Sequence, residues 1–534
     1  MADIGKVLRD RLAAAFETVT GSTVDPALRR SRFGDFQADG AVGRPDGRAV
    51  AAAVVATVEL DDLCSDVSVA GPGFVNLTLS ERALADRLAA AAADPRLGVS
   101  TVEPETVVVD YSGPNAAKEM HVGHLRSTVI GDAAVRVLEH LGHAVIRQNH
   151  LGDWGTNFGM LVEHQAGGAE LDPADMSAFY AAARRRFEAD PDFQERSRRR
   201  VVRLQAGDPD TIAQWRTIVS TSQVYLLSVY DRLGVRLRES DFAGESRYNA
   251  ALDGVVDDLL AKGLLRESDG ALCAFLDGFN APLIVRKRDG GYGYAATDLA
   301  AVRYRVDVLK ATRLLYVVGA PQRQHLEMVF ALARAAGWLP ASVRAEHIAF
   351  GSVLGTDGKM LRSRLGAAIK LTELLDEADT RAGAIGIDAL KYADLSSDRV
   401  KDYTFDFDRM LATTGDTGPY LQYAHVRVCS IFRRGDVDAV GNDFAITHPA
   451  ERALALELLE FPGVVARVGE TLEFHKLTTH LHAVAVSFSA FFEQCRVLEA
   501  PEPVRASRLA LCALTARTLR AGLDLLGMAA PSKM

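Results

Sequence analysis

The chain has 534 residues, of which 48% are hydrophobic and 25% charged, and a formal net charge of −9. Such a length exceeds one hydrophobic core and points to about three or four domains; the charge repels nucleic acid on average, so contact with a polyanion needs local basic patches. No apolar run approaches the roughly 20 residues of a membrane span, and five scattered cysteines without a Cys-x-x-Cys argue against a disulfide framework or thiolate zinc site and for a reducing cytosol.

The first hundred residues read as a small α/β accessory domain. An amphipathic helix through Val7, Leu8, Leu12 and Phe16 leads into the turn-rich stretch Phe33 to Gly40, and a second helix covers Ala49 to Val58. Val67 to Leu79 predicts two short strands around Gly71-Pro72-Gly73. The opening, with Asp3 and Asp10, has no signal-peptide profile.

From Thr106 the pattern becomes a strand–helix–strand unit. Val107-Val108-Val109 suits a buried strand, Ser112-Gly113-Pro114-Asn115 a turn, and Leu125, Val129, Ala133 and Val137 space an apolar helix face. Gly142 stops that helix, and Ala144 to Asn149 forms the next strand. The helix opens with Lys118 upstream and His121-Val122-Gly123-His124 in its first turn. The unpaired N–H groups and the dipole of a helix start favour an anion there, and Gly123 lets a base or ribose approach the backbone. A second copy, His140-Leu141-Gly142-His143, sits at the wrong end of the helix for a phosphate and reads as structural. Zinc ligation by the histidines is an open second reading, although no cysteine or carboxylate stands at ligand spacing.

Residues from about 165 to 285 are helix-rich and charged, with Arg184-Arg185-Arg186 and Arg198-Arg199-Arg200, and read as an insertion between halves of a sheet. These arginines are either a solvated face or a nucleic-acid contact. The sheet resumes at Leu314 to Val318, a helix covers Gln322 to Gly337, and Ile348-Ala349-Phe350 predicts a further strand. A basic loop follows, from Gly355 through Lys359-Met360-Leu361-Arg362-Ser363-Arg364. Together with the histidine turn it could clamp a triphosphate, and neither a P-loop nor a Gly-x-Gly-x-x-Gly fingerprint is present. Beyond about 370 no strand signal persists, and long apolar periods over 450–459, 477–492 and 509–526 predict an all-helical end.

The stretch Ser112 to Thr128 resembles the signature of class I arginyl-tRNA synthetases, with His121 to His124 as the HIGH motif. Gln148 to Gly155, Tyr230 to Val235, Gly244-Glu245-Ser246, Lys391 to Leu395, Gly418 to Ala424 and Gly522 to Gly527 are similar to further landmarks of that family, in the same order along nearly the whole chain. The resemblance implies an α/β fold: a doubly wound, Rossmann-like parallel-sheet catalytic domain (101–370, insertion about 165–285), an N-terminal tRNA-elbow-binding domain (1–100) and an all-α anticodon-binding domain (371–534). It implies arginine activation with ATP and Mg²⁺, then transfer to tRNA(Arg), by a cytoplasmic monomer. ATP would meet His121, Gly123, His124, Lys359, Arg362 and Arg364. The basic loop departs from the consensus KMSKS by lacking its second lysine, and Lys118, three residues before the histidine motif, takes that role. Asp298 would bind the guanidinium with Tyr294 against it, and Asp110, Asn115 and Gln322 match other arginine contacts. Tyr294 and Asp298, four apart, share a face if helical, though Asp298 could also be a helix cap. A specialised paralogue, a tRNA-binding protein that does not charge, and a metal-dependent hydrolase built on the histidines stand as alternatives.

Overall fold

In a computed structural model, residues 3–173, 175–361, 369–437 and 439–534 are described. They form two compact units, one of residues 1–102 with 412–534 and one of residues 103–411.

The first unit begins with α1 (Ile4–Thr20), whose N-cap Asp3 accepts from the Gly5 N–H and whose Leu8, Leu12 and Phe16 are fully buried. Strands β1 (Leu28–Arg30), β2 (Phe36–Ala38), β3 (Cys64–Ala70) and β4 (Phe74–Leu79) make an antiparallel sheet in the order β1-β2-β4-β3, with α2 (Gly47–Thr57) packed on it. The turn-rich stretch 33–40 therefore contains a strand. Its three residues are too few to show alternation, and their pairing with β4 decides them. Helix α3 (Glu81–Ala93) closes this part.

The second unit carries the parallel sheet. Strand β5 (Thr106–Asp110) is continuous and apolar because both of its faces are covered, and it leads to α4 (Val122–His140) and β6 (Ala144–Gln148). The insertion supplies α5 (Thr156–Ala166), α6 (Met176–Ala189), α7 (Pro191–Gln205), α8 (Pro209–Leu233) and α9 (Leu252–Ala261). It ends in an antiparallel sheet of β7 (Arg266–Ser268), β8 (Ala271–Ala274) and β9 (Leu283–Arg286) that helical periodicity did not foretell. Then come α10 (Tyr294–Asp307), β10 (Arg313–Tyr316), α11 (Arg323–Ala335) and β11 (Arg344–His347). The sheet order is β11-β10-β5-β6, all parallel, so the chain changes direction across the sheet between β5 and β10. Ligands of such sheets bind outside the carboxyl ends at that point. The regular strand lies three to four residues before the one expected at 348–350; Ile348-Ala349-Phe350 is the buried exit from β11, where pairing continues irregularly, the Ile348 N–H donating to Tyr316 O at 2.8 Å and Phe350 bridging Gly319.

A two-residue pairing of β12 (Val353–Leu354) with β13 (Tyr403–Thr404) corrects the expectation that no strand follows 370. Helices α12 (Leu371–Ala382) and α13 (Ala384–Leu395) pack on α4, and a short α14 (Phe407–Met410) ends this unit. The expected boundary at 371 thus falls inside a compact unit that runs to Leu411. The remaining helices, α15 (Gly418–Gly435), α16 (Pro449–Thr471), α17 (His475–Gln494) and α18 (Val504–Leu525), return to the first unit, where α16 packs on α1 and α3 and Arg452 donates to the buried Asp35 carboxylate at 3.1 Å. Among the described residues no helix is long and apolar enough to cross a membrane.

Candidate active site

The turn between β5 and α4 is held against its own backbone preference. Ser112 and Ala117 have φ of 73° and 60°, in the left-handed region that costs a side chain about 1–2 kcal/mol. The long insertion helix α8 supplies the restraint. Ser222 Oγ accepts from the Ala117 N–H at 2.8 Å, Tyr225 Oη accepts from the Met120 N–H at 3.1 Å, and Tyr230 Oη lies 2.8 Å from Ser112 Oγ. Asn149, at the end of β6, accepts from the Gly113 N–H at 3.0 Å and donates to the same Tyr230 hydroxyl.

This restraint delivers His121 to the N-cap of α4. Its Nδ1 accepts from the Gly123 N–H at 3.1 Å, while the His124 Nδ1 accepts from the His121 N–H at 3.0 Å. The pair is a reciprocal helix cap made of two imidazoles whose ring centroids are 4.0 Å apart. A Cβ on Gly123 would meet the His121 ring at 2.9 Å, so the glycine makes room for the ring as well as for a ligand. An Nδ1 that accepts leaves Nε2 as the protonated nitrogen of a neutral ring. Burial and then the Lys118 charge hold His121 below the usual imidazole range, and burial followed by the His121 charge pushes His124 down to about 3. Both rings are therefore neutral N–H donors at working pH.

His121 lines a cavity of about 450 Å³ across the carboxyl ends of the sheet, together with Gly123, Gly319, Pro321, Phe350 and Met360, among others. Arg126 forms its buried wall, with its guanidinium 3.3 Å from Asp394 and over the rings of Phe350 and Tyr403. The basic loop enters as a hairpin: Leu354 bridges Met360, and the Lys359 N–H donates to Asp357 while the Lys359 side chain is exposed. Its far end returns to the histidine turn, where the Val122 N–H donates to Ile369 O at 3.1 Å and the Leu371 N–H to Met120 O at 2.8 Å. Lys118 is half-buried, its ammonium 4.3 Å from the Tyr180 ring centroid. Arg362 and Arg364 lie outside the described residues.

Carboxylates gather around α10. Asp298, one turn into α10, places Oδ2 2.6 Å from the Nε2 of His325 in α11, and that carboxylate raises the imidazole's pKa. Tyr294, on the same face of α10, is 74% exposed. Glu245 is pushed up to about 8 by burial, with the Asp153 and Asp298 charges adding to it. Its position follows from two motifs joined in space. Asp153 accepts from the Ser246 N–H at 2.8 Å and from its hydroxyl at 2.7 Å, and the Glu245 N–H donates to Leu151 O.

Three family models match the chain: tRNA synthetases class I (R), catalytic domain, over residues 88–384; arginyl tRNA synthetase N terminal domain over 2–79; and DALR anticodon binding domain over 421–534. An arginine–tRNA ligase of Thermobifida fusca is 50% identical over 100% of both chains, and one of Cutibacterium acnes 49% identical over 99% of this chain and 100% of its own. The chain belongs to the class I arginyl-tRNA synthetases. Solved arginyl-tRNA synthetases share its architecture: that of Plasmodium falciparum has a TM-score of 0.88 at 28% identity with both chains fully covered, and that of Thermus thermophilus 0.83 at 25% identity, covering 99% of this chain and 100% of its own. It is thus an aminoacyl-tRNA ligase with the class I catalytic fold.

In this synthetase Lys118, His121, Gly123 and His124 sit close together at the entry to α4, and Tyr294 and Asp298 share a face of α10. Gln322 is exposed at the N-cap of α11, three residues before His325, and Asn115 is exposed in the turn with its backbone bridged to Gly152. Asp110 is different: its Oδ2 accepts from the fully buried Arg305 at 2.7 Å, and Arg305 also donates to Gln148 at 2.7 Å, tying the ends of β5 and β6. That carboxylate is already engaged by the protein's own guanidinium. Sequence patterns gave no role to Glu245, His325, Arg305 or Tyr180. Glu245 carried a signal, since its motif was a family landmark; the others had none. The second His-x-Gly-His has a packing role, His143 Nδ1 accepting from the Glu105 N–H at 3.1 Å. Among the described residues the side chains grouped tightly enough to hold a metal ion are Glu457, Glu460 and His480, in the C-terminal helices.

Proposed function

We propose that the cavity beside His121 holds the ATP phosphates and that the carboxylates around Asp298 hold the guanidinium of L-arginine. The arginine carboxylate attacks the α-phosphorus; the new O–P bond forms as the bond to pyrophosphate breaks, giving arginyl-adenylate. A ribose hydroxyl of the terminal tRNA(Arg) adenosine then attacks the activated carbonyl, and AMP leaves. The reading is carried by the reciprocal cap of His121 and His124. It consumes both Nδ1 atoms and leaves each ring a neutral Nε2–H donor, that of His121 on a ring that lines the cavity. Fixed donors stabilise charge that builds on phosphate oxygens without reorganising during the step. Lys118 adds a mobile full charge, and Lys359, Arg362 and Arg364 add charge from the loop.

Asp298 and Glu245 complement a guanidinium, which is always charged and donates in a fixed fork. Tyr294 would close over the side chain, with Asn115 and Gln322 at the α-amino and carboxylate end and Asp110 acting through Arg305. Mg²⁺ would arrive on the ATP phosphates, because the groups near His121 are donors and cations, whereas a hard cation seeks oxygen ligands. In keeping with the family, we assign the N-terminal domain to the tRNA elbow and the C-terminal helices to the anticodon, in a cytosolic monomer. Arginine-dependent ATP–pyrophosphate exchange with tRNA(Arg) present tests the reaction. Exchange is expected, and its absence would overturn the assignment.

A further inference from the structure

Lys118 has an unusual neighbour for a lysine beside a nucleotide cavity. Among the described residues no carboxylate pairs with it, and its ammonium rests on the face of Tyr180, 4.3 Å from the ring centroid. The carboxylate next to it in sequence, Glu119, is buried and taken by Lys370, at 2.9 Å. Lys370 also reaches Asp175, the N-cap of α6, at 3.7 Å, and α6 is the helix that carries Tyr180. The backbone of Lys370 bridges that of His121. One lysine therefore fastens α6, the histidine turn and the returning end of the basic loop together. It also satisfies the acid that would otherwise compete for Lys118.

We propose that Tyr180 is a positioning residue for the activation step, holding the Lys118 ammonium on its ring face beside the phosphates. This rests on the assignment of Lys118 to the ATP phosphates. A carboxylate partner would neutralise the ammonium and compete with phosphate for it. A ring quadrupole attracts the cation and leaves its charge intact. The ammonium can stay on the ring face and still donate its N–H groups to a phosphate oxygen as the pentacoordinate phosphorus forms. Ala117, at φ 60°, fixes where the lysine stem starts, so the ring and the strained backbone together limit where the ammonium goes.

The test is a double-mutant cycle on ATP–pyrophosphate exchange in the full-length enzyme with tRNA(Arg). Tyr180→Leu should lower kcat by about 2- to 30-fold, the range of one cation–π contact, with the arginine KM unchanged. Tyr180→Phe, which keeps the ring face, should stay within about twofold of the parent. In a Lys118→Ala background Tyr180→Leu should cost nothing more. Full activity of Tyr180→Leu, a Phe variant as slow as Leu, or losses that multiply in the double variant would each sink the proposal for Tyr180. An unimpaired Lys118→Ala would instead overturn the assignment of Lys118, and this proposal with it. If Tyr180→Leu does not fold, Tyr180→Met, which keeps bulk without a ring, carries the same comparison.

Discussion

The two regions proposed for the phosphates and for arginine manage charge in opposite ways. In the phosphate region the titratable rings are kept neutral: burial and then the Lys118 charge hold His121 low, and burial above all pushes His124 down to about 3. At the arginine end three carboxyl groups interact, and burial and mutual repulsion keep one of them, Glu245, protonated up to about pH 8. Phosphates bring their own negative charge, so fixed neutral donors align them without a large desolvation cost. The guanidinium cannot lose its proton, so discrimination against uncharged side chains has to come from carboxylates that are costly to leave unpaired.

Removing a partner from the arginine end should have the larger effect. Asp298→Asn keeps the shape of the site but replaces a charged acceptor by a neutral amide, and it releases His325 from its ion pair. We expect kcat/KM for arginine to fall about 10³-fold, within the range for truncating a buried charged hydrogen bond. The loss should appear mainly in the arginine KM, measured by exchange at saturating ATP; an unaltered KM would take Asp298 out of the pocket. At the phosphate end, isosteres separate the cap from the chemistry. Asparagine at position 124 places an acceptor near the Nδ1 position and omits Nε2; glutamine does the reverse. His124→Asn should cost about 10² in kcat with little change in melting temperature. His124→Gln should keep more activity and lose about 1 kcal/mol of stability with the cap. Equal kinetics for the two would show that the ring acts only as a cap.

The same division explains what was legible in the sequence. The β5–α4 unit could be read because its signals are local: three valines in a row, a turn, then histidines at the start of an apolar helical period. The direction of the dipole and the exclusion of the second His-x-Gly-His follow from spacing, whereas the reciprocal cap of His121 and His124 came only from the structure. Asp298 and Tyr294 were placed on one helical face by the same logic. Glu245, His325 and Arg305 act through partners 53, 27 and 195 residues away in Asp298, Asp298 and Asp110. No periodicity encodes such distances, nor the desolvation that sets the Glu245 proton. Asp110, which the resemblance matches to an arginine contact, takes its partner Arg305 from the other side of the insertion, a pairing that no local pattern names. The strand at 344–347 was misplaced because apolar residues mark cover, whereas strand pairing is set by the neighbour.

The protonated Glu245 gives the finest test of the comparison. A carboxyl raised to about 8 in the free enzyme carries its proton at neutral pH. A guanidinium beside it favours the ionised form, so arginine binding should expel that proton. His325 acts with the same sign, because its protonated form occupies the Asp298 oxygen that arginine needs. Binding that releases protons strengthens as pH rises. The arginine KM should therefore fall between the ordinary imidazole range and pH 8, by at most about tenfold per unit for each proton released, and level off above it. Calorimetry in buffers of different ionisation enthalpy counts the protons. Glu245→Gln should remove one of them and flatten the KM profile while leaving the His325 contribution. A proton count unchanged by that substitution would place Glu245 outside the guanidinium's field, and the contrast between the two ends would then rest on Asp298 alone.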